Sequence, residues 1–172
     1  MRSKAFFING GAGRVITSIP AFEKYAETHD DFIIVCEGGM NFYKSHPVLH
    51  KYAYDNWHKG LFEDKIKDRD CVTPEPYRRW HYYNQKCSIA QAFDLEINGI
   101  DEPRDLPKPT IKLAKSEGIQ GLQLVDEAIK VTGKEKVIVV QPFGRGVHDE
   151  GGYIFDPTSR SFNLGDISKI IN

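Results

Sequence analysis

The chain lacks the features that would place it among disulfide-stabilised or metal-binding proteins. Its 172 residues include three cysteines, which are too few and too scattered for a disulfide framework and have no CxxC spacing for a metal. Two histidines, His46 and His50, are four residues apart, but Pro47 lies between them. A proline at that point disfavours the helix that would bring both rings to one face. We therefore expect reduced thiols and no metal site.

The chain also lacks a long apolar run and an excess of charge. No stretch approaches the roughly 18 apolar residues of a membrane span, and the amino terminus has no apolar segment of the secretory type. The net charge is −1, from 23 basic and 24 acidic residues, so the composition indicates no broad basic surface for nucleic acid. These absences predict a cytoplasmic protein with no membrane span and no nucleic-acid partner.

What the chain does have is an alternation of apolar strand-type runs with amphipathic helical patterns. Residues 4–8 and 31–36 predict two strands, and residues 15–28 between them predict a helix, which together make a right-handed βαβ unit. Pro20 lies inside that helix, so we expect the regular helix to begin near Ile19 after a looser turn. The pattern predicts an α/β fold, with a Rossmann-like parallel sheet and flanking helices.

The remaining elements follow the same alternation and indicate two parts. We expect strands at residues 70–73 and 137–140, and helices at residues 78–97, 119–131 and 164–171. A proline-rich connector at residues 101–109 lies between the two parts. We accordingly expect a Rossmann-like acceptor-side domain (1–105), a linker with a connecting helix (106–135) and the start of a second, incomplete domain (136–172).

Three glycines within four residues follow the first strand: Gly10, Gly11 and Gly13. Strand, glycine turn and helix start together form a concave site lined by unpaired backbone N–H groups, which suits a phosphate or another anionic group. The simpler interpretation is that the glycines only permit a tight connection from strand to helix. The Walker A spacing with Lys followed by Ser or Thr is absent, which excludes a phosphate-loop NTPase.

A dinucleotide-binding enzyme is one alternative for this turn. Glu37 ends the second strand, at a place where an acidic residue would bind a ribose hydroxyl. Ile16, however, falls on the third glycine position of the fingerprint, which requires a small residue for close packing of helix on sheet. An NAD(P)-dependent oxidoreductase or epimerase therefore stays open as an alternative function.

Residues 13–21, which read GRVITSIPA, resemble the glycine–acid–apolar–Thr-Thr-Pro-Ala opening of the heptosyltransferase-like glycosyltransferases. Residues 108–113 are similar to that family's interdomain stretch, and residues 137–144 to its second-domain opening strand and Pro-Gly loop. The resemblance implies a GT-B fold, in which two Rossmann-like domains face each other, and makes this chain the amino-terminal part of one. It also implies transfer of a sugar from a nucleotide sugar to a glycan or similar acceptor, with no other cofactor.

The chain departs from the family at one position that matters for catalysis. The family's acidic residue after the glycine is taken to be the base that activates the acceptor hydroxyl, and here Arg14 stands in its place. An arginine stays protonated near neutral pH and cannot serve as a base. Arg14 is then a candidate for holding a phosphate or carboxylate of the acceptor, and Glu37 and Glu75 are the candidates for the catalytic carboxylate.

The resemblance also implies a set of substrate-binding residues on the two loops that follow strands. They are Gly10, Gly11, Gly13, Gln141, Gly144 and Arg145. A last alternative is a non-catalytic carbohydrate-binding or assembly protein on a degenerate GT-B scaffold. The replacement by Arg14 and the aromatic segment 57–80 favour that alternative, because aromatic rings stack on sugars.

Overall fold

Four parallel strands form the central sheet in a computed structural model of the chain, which describes residues 3–141, 147–156 and 162–171. The strands are β1 (Lys4–Ile8), β2 (Phe32–Cys36), β3 (Ala53–Asp55) and β4 (Asp70–Val72), and their order across the sheet is β3-β2-β1-β4. Strand β1 therefore lies between β2 and β4 and pairs in parallel with both. The predicted α/β fold with a Rossmann-like parallel sheet is confirmed.

Six α-helices, one hairpin and three short helical turns (Leu49–Lys51, Phe62–Ile66 and Pro76–Arg78) are the other regular elements of the described residues. The α-helices and the hairpin are α1 (Ala12–Ala26), α2 (Met40–Lys44), α3 (Trp80–Tyr83), α4 (Ile89–Asn98), α5 (Lys115–Thr132), the antiparallel pair β5 (His148–Glu150) and β6 (Tyr153–Phe155), and α6 (Leu164–Ile171). The chain divides into two compact units, Met1–Gly118 and Ile119–Asn172. The sheet and α1–α4 belong to the first unit. In the described residues, no helix is long and apolar enough to cross a membrane.

The two faces of the sheet carry two separate apolar clusters, because successive side chains of a strand point to opposite faces. On one face, Phe6 and Ile8 of β1 pack with Phe22 of α1 and Phe93 of α4. On the other face, Ala5 packs with a second set of buried side chains: Ile33, Val35, Leu61 and Ile66. Helices α1 and α4 therefore cover one face, and the segment that follows β3 covers part of the other.

Helix α1 begins earlier than the sequence predicts. It starts at Ala12 and runs without a break through Pro20, so the expected loose turn before Ile19 is wrong. Val15, Ile19 and Pro20 are all buried on the side of the helix that meets the core. Burial of these side chains offsets the one backbone hydrogen bond that a proline removes from a helix.

The single helix predicted for residues 78–97 is also wrong, because the chain forms two helices there. Helix α3 ends at Tyr83, and α4 begins after Ser88, whose side chain accepts a hydrogen bond from the Gln91 amide while the Gln91 side chain accepts one from the Ser88 amide. This capping box is a helix-start signal in the sequence itself. The predicted stop is confirmed, since Gly99 follows α4 in the left-handed conformation with φ 63°.

One strand that the sequence predicts in the second unit is absent from the structure. Residues 137–140 form no strand, and their four apolar side chains are exposed, with Val139 at 89%. A β-type run becomes a strand only where a neighbouring strand pairs with its backbone, and within the described residues none pairs with this one. The predicted helix at 164–171 is confirmed as α6, and that at 119–131 as part of α5.

Candidate functional site

The carboxyl end of the parallel sheet is where this fold positions a ligand. Strand β2 lies on one side of β1 and β4 on the other, so the chain connections diverge at the gap between β1 and β4. In open α/β sheets, ligands bind in the crevice beyond the carboxyl ends of the strands at such a switch point. The predicted glycine turn follows β1, and Glu75 lies three residues after the end of β4, so both border this gap.

The glycine turn connects β1 to α1 by a conformation that few other residues adopt. Gly10 has φ 103°, and a Cβ on it would lie 3.1 Å from the Cδ of Arg14. Gly11 is the N-cap of α1, with no side-chain cap and no acidic residue in the first turn of the helix. The first amides of a helix have no partner within it. This end of α1 therefore presents backbone donors and the positive end of the helix dipole towards the switch point.

A second glycine pair, at the end of β2, packs against the first turn. A Cβ on Gly39, which has φ 71°, would lie 2.8 Å from the Cα of Ala12, and one on Gly38 would lie 3.1 Å from the carbonyl oxygen of Gly10. The site residues predicted from the sequence do not include Gly38 or Gly39. The repeated Gly-Gly after each of two adjacent strands was the signal that the two loops approach each other closely.

Arg14 spans from α1 to the loop after β4. Its Nη2 donates a 2.7 Å hydrogen bond to the carbonyl oxygen of Pro74, and its Nη1 lies 3.5 Å from Oε2 of Glu75. The guanidinium also lies over the ring of Tyr77, at 5.4 Å, and over that of Phe93, at 5.6 Å. The side chain is 16% exposed, so Arg14 is a packed, paired cation at the switch point.

Glu37 is tied to the glycine turn instead of extending freely from the end of β2. Its Oε2 accepts a 3.0 Å hydrogen bond from the backbone amide of Gly10. Gly10 is thus the common neighbour of Arg14 on one side and Glu37 on the other. Four predicted site residues border the switch point, namely Gly10, Gly11, Arg14 and Glu75, and Glu37 is joined to them only through the Gly10 amide. Gly13 lies in the first turn of α1, with open space where a Cβ would be.

Of the predicted donor-side residues, only Gln141 lies among the described residues. Gln141 is an exposed residue outside helix and strand in the second unit. Gly144 and Arg145 lie outside the described residues. Pro74 and Tyr77, which contact the guanidinium of Arg14, are not among the residues predicted from the sequence. The pair of prolines around Glu75 was the available signal, because they favour an extended backbone whose carbonyl groups stay available as acceptors.

The cysteines and the other potential ligands offer no competing chemistry in the part of the chain that the structure describes. No group of three His, Cys, Asp or Glu side chains is placed to hold a metal there. All three cysteines are free thiols. Burial, with a smaller contribution from Asp55, raises the pKa of Cys36 to about 12, so the one cysteine at the carboxyl end of a central strand stays protonated.

Comparison of the chain with protein-family models, with curated proteins and with solved structures gave no match. The switch point between β1 and β4 is therefore the candidate functional site. Its chemistry consists of one carboxylate, one guanidinium and an uncapped helix start within a glycine-rich turn. The carboxylate can accept a proton, and the guanidinium and the helix start can hold an anionic group. The glycines let the backbone approach a ligand closely.

Proposed function

We propose that the chain is the acceptor-side part of a GT-B-type glycosyltransferase, in which Glu75 is the base that activates the acceptor hydroxyl. One observation carries the proposal: the carboxylate of Glu75 lies 3.5 Å from the guanidinium of Arg14, at the switch point of the sheet. Arg14 occupies the position at which the heptosyltransferase-like glycosyltransferases, which this chain resembles, have an acidic residue. The carboxylate that the family carries on the helix is in this chain supplied by the loop after β4.

The proposed step uses Glu75 as a general base. A carboxylate oxygen takes the proton of an acceptor hydroxyl while that hydroxyl oxygen forms a bond to the anomeric carbon of the donor sugar. The bond from that carbon to the nucleoside diphosphate breaks, and the diphosphate leaves with the electron pair. The side chain of Glu75 is 42% exposed, so a ligand in the crevice can reach it. General base catalysis of this kind contributes about 10²- to 10⁴-fold to a rate.

Arg14 acts in this proposal as a positioning residue. Its bond to the Pro74 carbonyl holds the backbone immediately before Glu75, and its ion pair orients the carboxylate. The uncapped start of α1, next to Gly11, would receive an anionic group of the acceptor. Binding of the nucleotide sugar by Gln141, Gly144 and Arg145 stays a prediction from the resemblance.

Incubation of the full-length gene product with an oligosaccharide acceptor and a panel of UDP-, GDP- and ADP-sugars tests the proposal, with nucleotide release as the measured quantity. We expect release with at least one donor, and a drop of about 10²- to 10⁴-fold in Glu75→Gln. Glu63→Gln is the matched control, because Glu63 is a surface residue, 66% exposed and paired with Lys67. The melting temperature of each variant shows whether it is folded.

Two results would overturn the proposal. One is that no nucleotide sugar binds at millimolar concentration in ligand-observed NMR. The other is saturable binding of NADH in a fluorescence titration with no binding of nucleotide sugars, which would replace the proposal by the oxidoreductase alternative. Transfer that is undiminished in a folded Glu75→Gln protein would remove Glu75 from the role of base and leave the carboxylate to be sought elsewhere.

A further inference from the structure

Three polar side chains form one row across the sheet, immediately beyond the ends of three adjacent strands. Asn9 follows β1, Glu37 follows β2 and Asn56 follows β3. The last residues of these strands are register partners, Ile8 with Cys36 and Cys36 with Asp55. The parallel ladder continues by one step into the row, because the Glu37 amide bonds to the Ile8 carbonyl and the Asn56 amide to the Cys36 carbonyl. Asn9, Glu37 and Asn56 are therefore side-by-side neighbours.

The row lies on the face of the sheet opposite to α1. Side chains alternate between faces along a strand, so Asn9 shares its face with Phe7, and Glu37 shares its face with Val35. Phe7 and Val35 belong to the apolar cluster that excludes α1, together with Leu61. The polar row thus borders the apolar residues Phe7, Val35 and Leu61 on this face. Arg14 and Glu75, in contrast, lie beside α1.

A cavity of about 460 Å³ occupies this corner of the first unit. Six residues line it: Phe7, Asn9, Val35, Glu37, Asn56 and Leu61. Its size is within the range of pockets that hold small ligands, and its composition of an apolar floor with a few convergent polar groups is typical of them. Asn9 and Asn56 are exposed to solvent, and within the described part of the chain no protein group forms a hydrogen bond with their side-chain amides.

The chemistry of the lining selects among ligands. The two amides each offer a carbonyl acceptor and two N–H donors, and the carboxylate offers acceptors only. Glu37 uses Oε2 for the Gly10 amide, which fixes the orientation of the carboxylate. The lining includes one negative charge and no cation, so it disfavours a phosphate or a carboxylate as the ligand. Hydroxyl groups, which both donate and accept, match this set.

We infer that this cavity binds a neutral sugar ring, with its hydroxyls on Asn9, Glu37 and Asn56 and its apolar face on Phe7 and Val35. Trp57, which follows Asn56 in the chain, is 86% exposed and provides an aromatic surface for an adjoining sugar unit. The binding site itself goes beyond the proposed function.

Titration of the ¹⁵N-labelled protein with methyl glycosides of glucose, galactose and mannose tests the inference by NMR. We expect saturable binding of at least one glycoside, with shifts of the side-chain NH₂ signals of Asn9 and Asn56. Asn9→Ala and Asn56→Ala should each weaken binding about three- to tenfold, the usual effect of losing one hydrogen bond. Glu37→Gln should weaken it similarly while keeping an acceptor for Gly10. Glu27→Gln, 59% exposed at the far end of α1, should not change it.

The outcomes separate this inference from the proposed function. Absence of glycoside binding, or stronger binding of the corresponding sugar 6-phosphates, would overturn the neutral-sugar site whatever the nucleotide-sugar assay gives. Binding that is unaffected by all three substitutions in folded proteins would place the sugar elsewhere and overturn it too. Binding that depends on Asn9 and Asn56 in a protein that transfers no sugar would support the site and contradict only the transferase.

Discussion

The backbone amide of Gly10 donates a 3.0 Å hydrogen bond to the carboxylate of Glu37, which joins the turn after β1 to the end of β2. We expect Glu37→Ala to leave this amide without its partner and to lower the free energy of unfolding by about 1 kcal/mol. Glu37→Gln, which keeps an acceptor oxygen, should cost less. Urea denaturation measures both values. Faster hydrogen exchange of the Gly10 amide in the alanine variant alone would confirm the cause, and equal exchange in both variants would contradict it.

The two glycine loops provide a matched pair of substitutions. Gly39→Ala places a Cβ 2.8 Å from the Cα of Ala12 in a residue with φ 71°, and we expect it to lower the free energy of unfolding by about 2 kcal/mol or more. Gly13→Ala meets open space in the first turn of α1 and should raise it by up to about 1 kcal/mol, since alanine favours a helix. Chemical denaturation compares the two. A mild effect of Gly39→Ala would show that the loops can separate without cost.

A buried carboxylate fixes the start of the connector to α4. Asp94 is fully buried. Its carboxylate accepts hydrogen bonds from Nε of Arg104 at 2.6 Å and from Nη2 of Arg104 at 2.9 Å. It accepts a third from the side-chain amide of Asn98 at 2.6 Å. The hydrogen bonds from Arg104 to Asp94 raise the pKa of Arg104 above its ordinary value. Asp94→Asn replaces one acceptor by a donor facing the guanidinium. We expect the free energy of unfolding to fall by about 2–3 kcal/mol. This is less than the loss expected for a fully buried pair, because the Arg104 side chain is 42% exposed.

The neighbouring carboxylate Asp105 is the control for that experiment, because it is exposed and next to Arg104 in the chain. Asp105→Asn should change the unfolding free energy by less than about 0.5 kcal/mol. If both asparagine variants behave alike, the pairing of Asp94 with Arg104 does not stabilise the connector.

Thiol labelling should distinguish buried Cys36 from exposed Cys71. Only a thiolate reacts, so buried, protonated Cys36 should resist iodoacetamide at pH 8 in the native protein, whereas exposed Cys71 should react. All three should react in urea, and mass spectrometry of peptides reads the result. Native labelling of Cys36 as fast as that of Cys71 would contradict its burial.

The raised pKa of Cys36 also gives stability a defined pH dependence. The unfolded thiol ionises near its ordinary pKa of 9.0 and the folded one at about 12. The contribution of this group is therefore complete below pH 9 and is lost as the pH rises from 9 to about 12. Cys36→Ala should flatten that part of the curve of unfolding free energy against pH, measured by urea denaturation. An unchanged slope would assign the loss to other groups.

The pair of Asp31 and Arg69 should give the free energy of unfolding the opposite pH dependence, at low pH. The hydrogen bond from Arg69 lowers the pKa of Asp31 below its ordinary 3.8. The favourable contribution is thus present above that value and is lost as the pH falls through the lower, folded pKa. Arg69→Gln should return the Asp31 pKa towards 3.8 in a ¹³C-detected carboxyl titration, and Lys67→Gln, which removes a partner of Glu63, should not. A low pKa that persists without Arg69 would require another cause.

Local signals in the sequence were enough for part of the first unit. The apolar runs at β1 and β2, the glycines after β1 and the stop at Gly99 determine structure over a few residues, so they can be predicted without knowing what packs against them. The capping box at Ser88 and Gln91 was equally local, and it explains the break that the prediction of one long helix missed. The strand predicted at residues 137–140 failed because a strand needs a partner, which no local pattern supplies.

The candidate site shows the same division. The sequence by itself determined that a glycine turn follows the first strand, that Arg14 stands at its helix start and that carboxylates follow two further strands. Only the tertiary structure decided that Arg14 pairs with Glu75 across 60 residues, and that Asn9, Glu37 and Asn56 form one row. The physical reason is that residue type and local turns are written along the chain, whereas strand order and register depend on packing between segments that are distant in sequence.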